Sequence, residues 1–199
     1  MEYAQPVSQF RQNVDHGFGG GGWARLHVDP AGVFSLRADV HYVNYGNHTQ
    51  YFALSSGLGY VNLAETTSNN ILVGTIGPQL TVPTGPIRPY VNGAIGFAHF
   101  YTETALKDQY DQTTLAQSTN YSDNSLVYTG GAGLYIPLVT GQQTVALDVG
   151  ARYNAIGTTR YLAKGDIQSD PTTQYGIVIT PHESDARFMT YRLGLALSF

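Results

Sequence analysis

The chain of 199 residues has no cysteine, so neither a disulfide nor a thiolate metal site can contribute to it. It is also poor in charge. Only 12% of residues are charged, about half the share usual in a soluble domain. The formal charge of -4 gives no basic footprint for nucleic acid, so none is expected as a partner. Long apolar runs are missing as well. No stretch approaches the ~18 apolar residues of a membrane-spanning helix. That absence does not exclude a membrane, because a barrel strand shows lipid only every second side chain, and its mean hydropathy is then middling. The value here is -0.16. Finally, Met1 to Val7 carries neither a basic n-region nor an apolar h-region. We expect a secretory leader, and the first part of a first strand, to lie outside this numbering.

What is present is apolar residues at 42%, with 15 Tyr and 23 Gly, on a length that suits one domain. The clearest segment is the last. Met189, Tyr191, Leu193, Leu195, Leu197 and Phe199 alternate with Thr190, Arg192, Gly194, Ala196 and Ser198. One face is entirely apolar at period 2 and the other is small or polar. Thr144 to Asn154 repeats the pattern, with Val145, Leu147, Val149, Ala151 and Tyr153 opposite Asp148 and Arg152. Phe34 to Tyr42 repeats it with Arg37, Asp39 and His41 on the polar side. Leu126 to Leu138 sets Leu126, Tyr128, Leu134, Ile136 and Leu138 against Thr129, Gly131, Gly133 and Tyr135. Pro89 to Phe97, Leu72 to Val82 and Gly19 to Val28 follow less strictly. These are seven strand signals of about the ~10 residues that cross a tilted barrel wall.

The connections alternate. Asp29 to Gly32, Pro83 to Pro86 and Val139 to Gly141 read as tight turns. Gly46 to Asn69, Thr102 to Asn124 and Gly157 to Ala186 read as long polar loops. Short turns on one side and long loops on the other describe a chain that zigzags across a membrane. A closed barrel needs an even strand count, about eight at the smallest. The expectation is therefore an all-β, up-and-down antiparallel transmembrane barrel of about eight strands spanning 1–199. Its first strand is reduced to a stub near Tyr3 to Val7, and Ser8 to His16 forms an outer loop.

The terminal Phe199 behind Leu195 and Leu197 resembles the C-terminal signature of outer-membrane barrels. The segments from Arg88 to Phe97 and from Gly130 to Tyr135 resemble strands of small OmpA/OmpX-like barrels. The resemblance implies a bacterial outer-membrane location among lipid and lipopolysaccharide. It also implies assembly by the barrel-insertion machinery, with Phe199, Leu197 and Leu195 as the signal. It implies no particular activity, since the fold hosts several.

On this reading Arg25, Arg37, Asp39, Asp148, Arg152 and Arg192 point inward. They must pair, because buried charge is costly unless paired. A gated pore or anion path is one reading of that set. A polar plug that fixes strand register is the other, and it is favoured because about eight strands enclose only enough room for their own side chains. The expected function is a structural or surface-interaction barrel with a polar, filled interior, and not an enzyme. The alternative is a lipid-modifying enzyme. His182-Glu183-Ser184 resembles the His-x-Ser pair of lipid A deacylase barrels, although no Glu follows Ser184. A soluble lipocalin-like barrel would instead turn Leu193, Leu195 and Leu197 inward.

No cofactor is expected. Gly17 to Gly22 lacks the Lys-Ser/Thr of a phosphate loop. His27 and His41 lie too far apart along their hairpin to share a metal. Asp108, Asp111 and Asp123, with Asp166 and Asp170, read as solvated loop charge. The sequons at Asn47 and Asn120 read as chance matches.

Overall fold

The computed structural model describes residues 1–56, 59–108, 113–139, 141, 143–163, 166–169 and 177–198. Strands β1 (Glu2–Val7), β2 (Gly17–His27), β3 (Phe34–Ser56), β4 (Gly59–Thr81), β5 (Arg88–Asp108), β6 (Thr114–Val139) and β7 (Thr144–Tyr161) follow one another. A small hairpin, β8 (Ile167–Ser169) with β9 (Ile177–Ile179), precedes the last strand, β10 (His182–Ser198). Eight of the strands close into one antiparallel barrel in the order β1-β10-β7-β6-β5-β4-β3-β2, and β8 pairs only with β9. Connections in the barrel join neighbours, which is the up-and-down topology. Closure runs through β1. Glu2 to Val7 pair with Arg192 to Arg187, while only Glu2, Tyr3 and Ala4 pair with β2.

The alternation along each strand sets the facing. Leu195 and Leu197 are 67% and 62% exposed on the outer surface, whereas Asp148 and Arg37 are each 1% exposed inside. Phe34, Tyr42, Tyr128, Val149, Tyr153 and Leu193 join the outer face. Val145 and Leu147, expected to be fully outward, are only half-buried. Phe199 lies outside the described residues, as do Thr140, Asp111 and Asp170.

One turn shows how the short connections are made. Asp29 Oδ1 accepts from Phe34 N–H at 2.6 Å, and Oδ2 accepts from Val33 N–H at 3.2 Å. Gly32 N–H donates to Asp29 O at 3.1 Å, and Gly32 takes φ +72°, which an L side chain rarely adopts. Foremost the Phe34 N–H, and then its neighbours, hold the Asp29 carboxyl below its ordinary value. A carboxyl lowered in the folded state contributes stability above its unfolded value, and that contribution fades as pH falls through the folded value. The carboxyl 13C shift of Asp29 should therefore titrate with a midpoint below 3.8. Asp29→Asn should remove this acid sensitivity of the turn. A midpoint at or above the ordinary value would show that the two amide bonds do not persist.

The long connections differ from expectation. Gly46 to Asn69 and Thr102 to Asn124 are strand for nearly all of their described length. The β3–β4 ladder runs to Ser56↔Gly59, β4–β5 to Leu63↔Asp108 and β5–β6 to Lys107↔Thr114. On the flanks, β2 leaves β3 at Asn44, and β7 leaves β6 at Val127. Four strands therefore rise beyond the barrel as one sheet, over about 30 Å of strand. Polar residues escape a strand reading by composition, but here they pair across the ladder. Thr49 and Thr66 share a 3.1 Å bond, Thr67 and Thr104 a 3.0 Å bond, and Asn120 donates to Thr104 at 2.6 Å.

Ser8 to His16 does join β1 to β2 at the end of the long connections, but it folds inward in place of forming an open loop. Ser8, at φ 58°, turns the chain into a 3-10 helix, Ser8–Gln12. That helix drops Phe10 among Tyr45, Phe100, Tyr161 and Phe188, with ring centroids 5.0 to 6.4 Å away. The upper lumen is accordingly apolar, closed by Val43, Ile71, Val73, Val127 and Ile156 around these rings. The ion cluster fills only the half nearer the short turns, and the other half is mainly apolar, with buried polar pairs such as Thr102 and Asn69 above it, which corrects the expectation of a wholly polar filling.

Candidate functional site

The lower lumen is built by strand periodicity. Arg37 and Asp39 are two apart on β3, so both side chains enter the barrel at adjacent heights. Arg37 Nε donates to Asp39 Oδ2 at 2.9 Å and Nη2 donates to Oδ1 at 2.8 Å. This is the bidentate fork that makes Arg-carboxylate pairs strong and directional. Arg37 Nη1 reaches further, to Gln79 Oε1 at 2.9 Å and to the Tyr135 hydroxyl at 3.2 Å. Gln79 in turn donates to Thr81 Oγ1 at 2.8 Å.

Two arginines cross the lumen to the same carboxylate. Arg152 Nη2 donates to Asp39 Oδ1 at 2.6 Å, and Arg192 Nη1 lies 3.5 Å from that oxygen. Arg192 then links the two acids, with Nε 3.1 Å from Asp148 Oδ2. Asp148 also accepts from Tyr90 OH at 2.8 Å and from Trp23 Nε1 at 3.0 Å. Tyr90 OH accepts from Arg192 Nη2 at 2.8 Å, which closes the ring of bonds.

Aromatic faces fill what remains. The Arg37 guanidinium lies 4.5 Å over the Trp23 ring and 5.6 Å over Tyr90. Tyr90 and Tyr135 stack at 4.5 Å. Two glycines give Tyr90 its place. A Cβ on Gly133 would run into the Tyr90 hydroxyl, and one on Gly150 would stand 2.6 Å from it. Only glycine permits that approach.

Of the six interior residues read from sequence, Arg37, Asp39, Asp148, Arg152 and Arg192 form this single cluster. Arg25 stands at its edge, donating to Thr81 Oγ1 at 3.3 Å and lying 5.2 Å over Tyr135. A seventh charge was missed. Glu2 is buried on the lumen side of β1. Together with Arg152, Arg192 and Tyr90 it lines a cavity of about 10 Å³, room for one water. Glu2 precedes any recognisable alternation, so no period marks it. With Glu2 the balance becomes four Arg against three carboxylates. The aromatic members, Trp23, Tyr90 and Tyr135, were missed as a group because aromatics on strands are ordinarily explained by propensity.

The site offers hydrogen bonds and charge pairing, but the carboxylates of Asp39 and Asp148 are engaged by arginine, tyrosine or tryptophan, and Glu2 Oε2 is buried without a hydrogen-bond partner among the described residues. Among the described residues no group of three His, Asp or Glu is placed to hold a metal ion. His182 and Ser184 lie near the top of β10, away from this cluster. His182 Nε2 faces Asp166 Oδ2 at 3.1 Å, while Ser184 Oγ and the Tyr161 hydroxyl share a 3.0 Å bond. The nucleophile is thus engaged by a phenol, and the imidazole by a carboxylate, in two separate contacts. Leu195 and Leu197 lie on the outer wall. No protein-family model, no characterised protein and no solved structure matches this chain.

Proposed function

We propose that the chain is a bacterial outer-membrane barrel of the small OmpA/OmpX-like type, held rigid by a filled lumen. Its role is structural or surface-interacting, without catalysis or conduction. The observation that carries this reading is its inside-out chemistry, with an ion cluster on the inner face and leucines and tyrosines on the outer. Water-soluble barrels need the reverse arrangement.

The outer face supports the reading further, because its polarity changes along the strand. Phe34 to Tyr42 holds an apolar outer side over about 27 Å of strand, which a tilt of ~35–45° reduces to about 19–22 Å, most of the ~25 Å of a lipid-facing band. One step higher, the outward positions turn polar. Asn44 donates to Asn70 Oδ1 at 2.8 Å, and His99 Nδ1 and Asn124 Oδ1 lie 2.8 Å apart. Tyr42 sits just under this ring and donates to Asn70 Oδ1 at 2.6 Å. An aromatic belt beneath a polar collar fits a membrane–water boundary. Inside, the same height marks the change from ion cluster to apolar plug. Above it the sheet of β3 to β6 presents Thr, Asn and Gln, suited to lipopolysaccharide or a protein partner outside. The non-conducting assignment rests on a lumen blocked twice, by the ion cluster and by Phe10 with its neighbouring rings.

Fractionation tests the location, and heat-modifiable migration tests the barrel. The protein should appear in the outer-membrane fraction. Its unboiled form should run faster than the boiled form on a detergent gel. A water-soluble protein whose migration ignores heating would overturn the proposal.

A further inference from the structure

Two polar groups of the lumen are left unanswered by other side chains. Glu2 and Arg152 are 5% and 6% exposed, yet Glu2 Oε2 and Arg152 Nη1 have no hydrogen-bond partner among the described residues. Leaving a buried donor or acceptor unmade costs more than the bond is worth. The rest of the Arg152 guanidinium is committed, with Nη2 donating to Asp39 at 2.6 Å. Glu2 is held in place by its backbone, opposite Arg192 of β10 and Gly19 of β2. Both side chains line the same cavity of about 10 Å³, together with Tyr90, Asn92, Thr190 and Arg192.

We propose that this cavity is a binding site for a single water molecule, which accepts from Arg152 Nη1 and donates to Glu2 Oε2. The inference is independent of the membrane reading. The occupant must both donate and accept, and the site's chemistry excludes the other small candidates. A cation would stand beside Arg152 and Arg192. A halide could accept from Arg152, but it would offer Glu2 no proton and would set a second negative charge beside the carboxylate. An apolar group would satisfy neither. Water meets both demands, and the volume suits one molecule. The Asn92 carboxamide, which can donate or accept, supplies a further bond of the two to four that hold a buried water.

The bridge has a structural consequence. Strand β1 is the shortest in the barrel, at six residues, and only three of them pair with β2. Arg152 stands on β7, with β10 between it and β1. A water shared by Glu2 and Arg152 therefore ties the closing strand to the ion cluster across an intervening strand. It also brings the third carboxylate to the arginines without direct contact, since a bridging water is nearly as good as a direct bond.

Crystals of the full chain grown from detergent in sodium bromide identify the occupant. The expected result is an oxygen-sized density peak within hydrogen-bond distance of Glu2 Oε2 and Arg152 Nη1, without anomalous scattering. An anomalous peak there would make the occupant an anion and overturn the proposal. So would a direct Glu2–Arg152 contact with no peak between them. Amide exchange in micelles tests the tie to closure. Glu2→Gln keeps an acceptor oxygen for the water, so exchange along Tyr3 to Val7 should stay within about threefold of wild type. Glu2→Leu removes the acceptor and should speed that exchange by about tenfold or more, with β5 and β6 unchanged. Wild-type protection in Glu2→Leu, or equal loss in both variants, overturns the water as the link between β1 and Arg152.

Discussion

Asp39→Ala is expected to lower the unfolding free energy by about 3–5 kcal/mol, the usual cost of breaking a buried ion pair from one side. Asp39 makes more ion pairs than any other charge in the lumen among the described residues. It receives the Arg37 fork and the Arg152 guanidinium, and stands 3.5 Å from Arg192. Removing its carboxylate leaves three guanidinium groups close together, with Asp148 and Glu2 as the remaining acids. Arg192 retains Asp148 and Tyr90, and Arg37 retains Gln79 and Tyr135. Arg152 loses its one salt bridge. The double variant Asp39→Ala with Arg152→Met should therefore cost less than the sum of the two single variants, by ~1 kcal/mol or more, since pairs in one network do not add. Denaturant unfolding of the refolded barrel, followed by Trp23 emission, measures both quantities. An unchanged midpoint for Asp39→Ala, or strict additivity in the double variant, would mean that water and the tyrosines already neutralise Arg152.

The legibility of this cluster had a definite physical basis. Period-2 alternation placed Arg37, Asp39, Asp148, Arg152 and Arg192 on one side of their strands, and the leucines of β10 on the other. Closure follows from strand count, so the mutual proximity of those charges was also within reach. The upper lumen was not read because the alternation inverts there. Past Tyr42, β3 continues with Val43 and Tyr45 inward and Asn44 outward; past Phe97, β5 continues with Ala98 and Phe100 inward and His99 outward. A search for apolar residues on the lipid side stops where the lipid stops, and takes the polar outward residues beyond it for loop. The phase change itself was the available signal. Phe10 left no such trace, since one aromatic in Ser8–Gln12 carries no period, and Ser8 in the left-handed region is not a residue that composition would select.

Phe10→Ala is expected to destabilise the barrel by about 3–5 kcal/mol, the range for truncating a buried Phe. The ring is 1% exposed and meets Tyr161 edge-on at 5.0 Å, Phe100 edge-on at 6.4 Å, and both Tyr45 and Phe188 at a tilt. It is the principal anchor of the 3-10 helix, which links β1 to β2 and so holds the short strand on which closure depends. Losing it removes packing area and also loosens the seam. Phe10→Leu keeps most of the volume and should cost less than half as much. Conductance separates this stabilising role from a gate. Both wild type and Phe10→Ala should be silent in planar bilayers, because the Arg37–Asp39–Arg152 layer still fills the section below. A steady ion current in Phe10→Ala alone would make Phe10 a gate and the ion cluster a permeable lining. A midpoint unchanged from wild type would show that the helix does not anchor the seam.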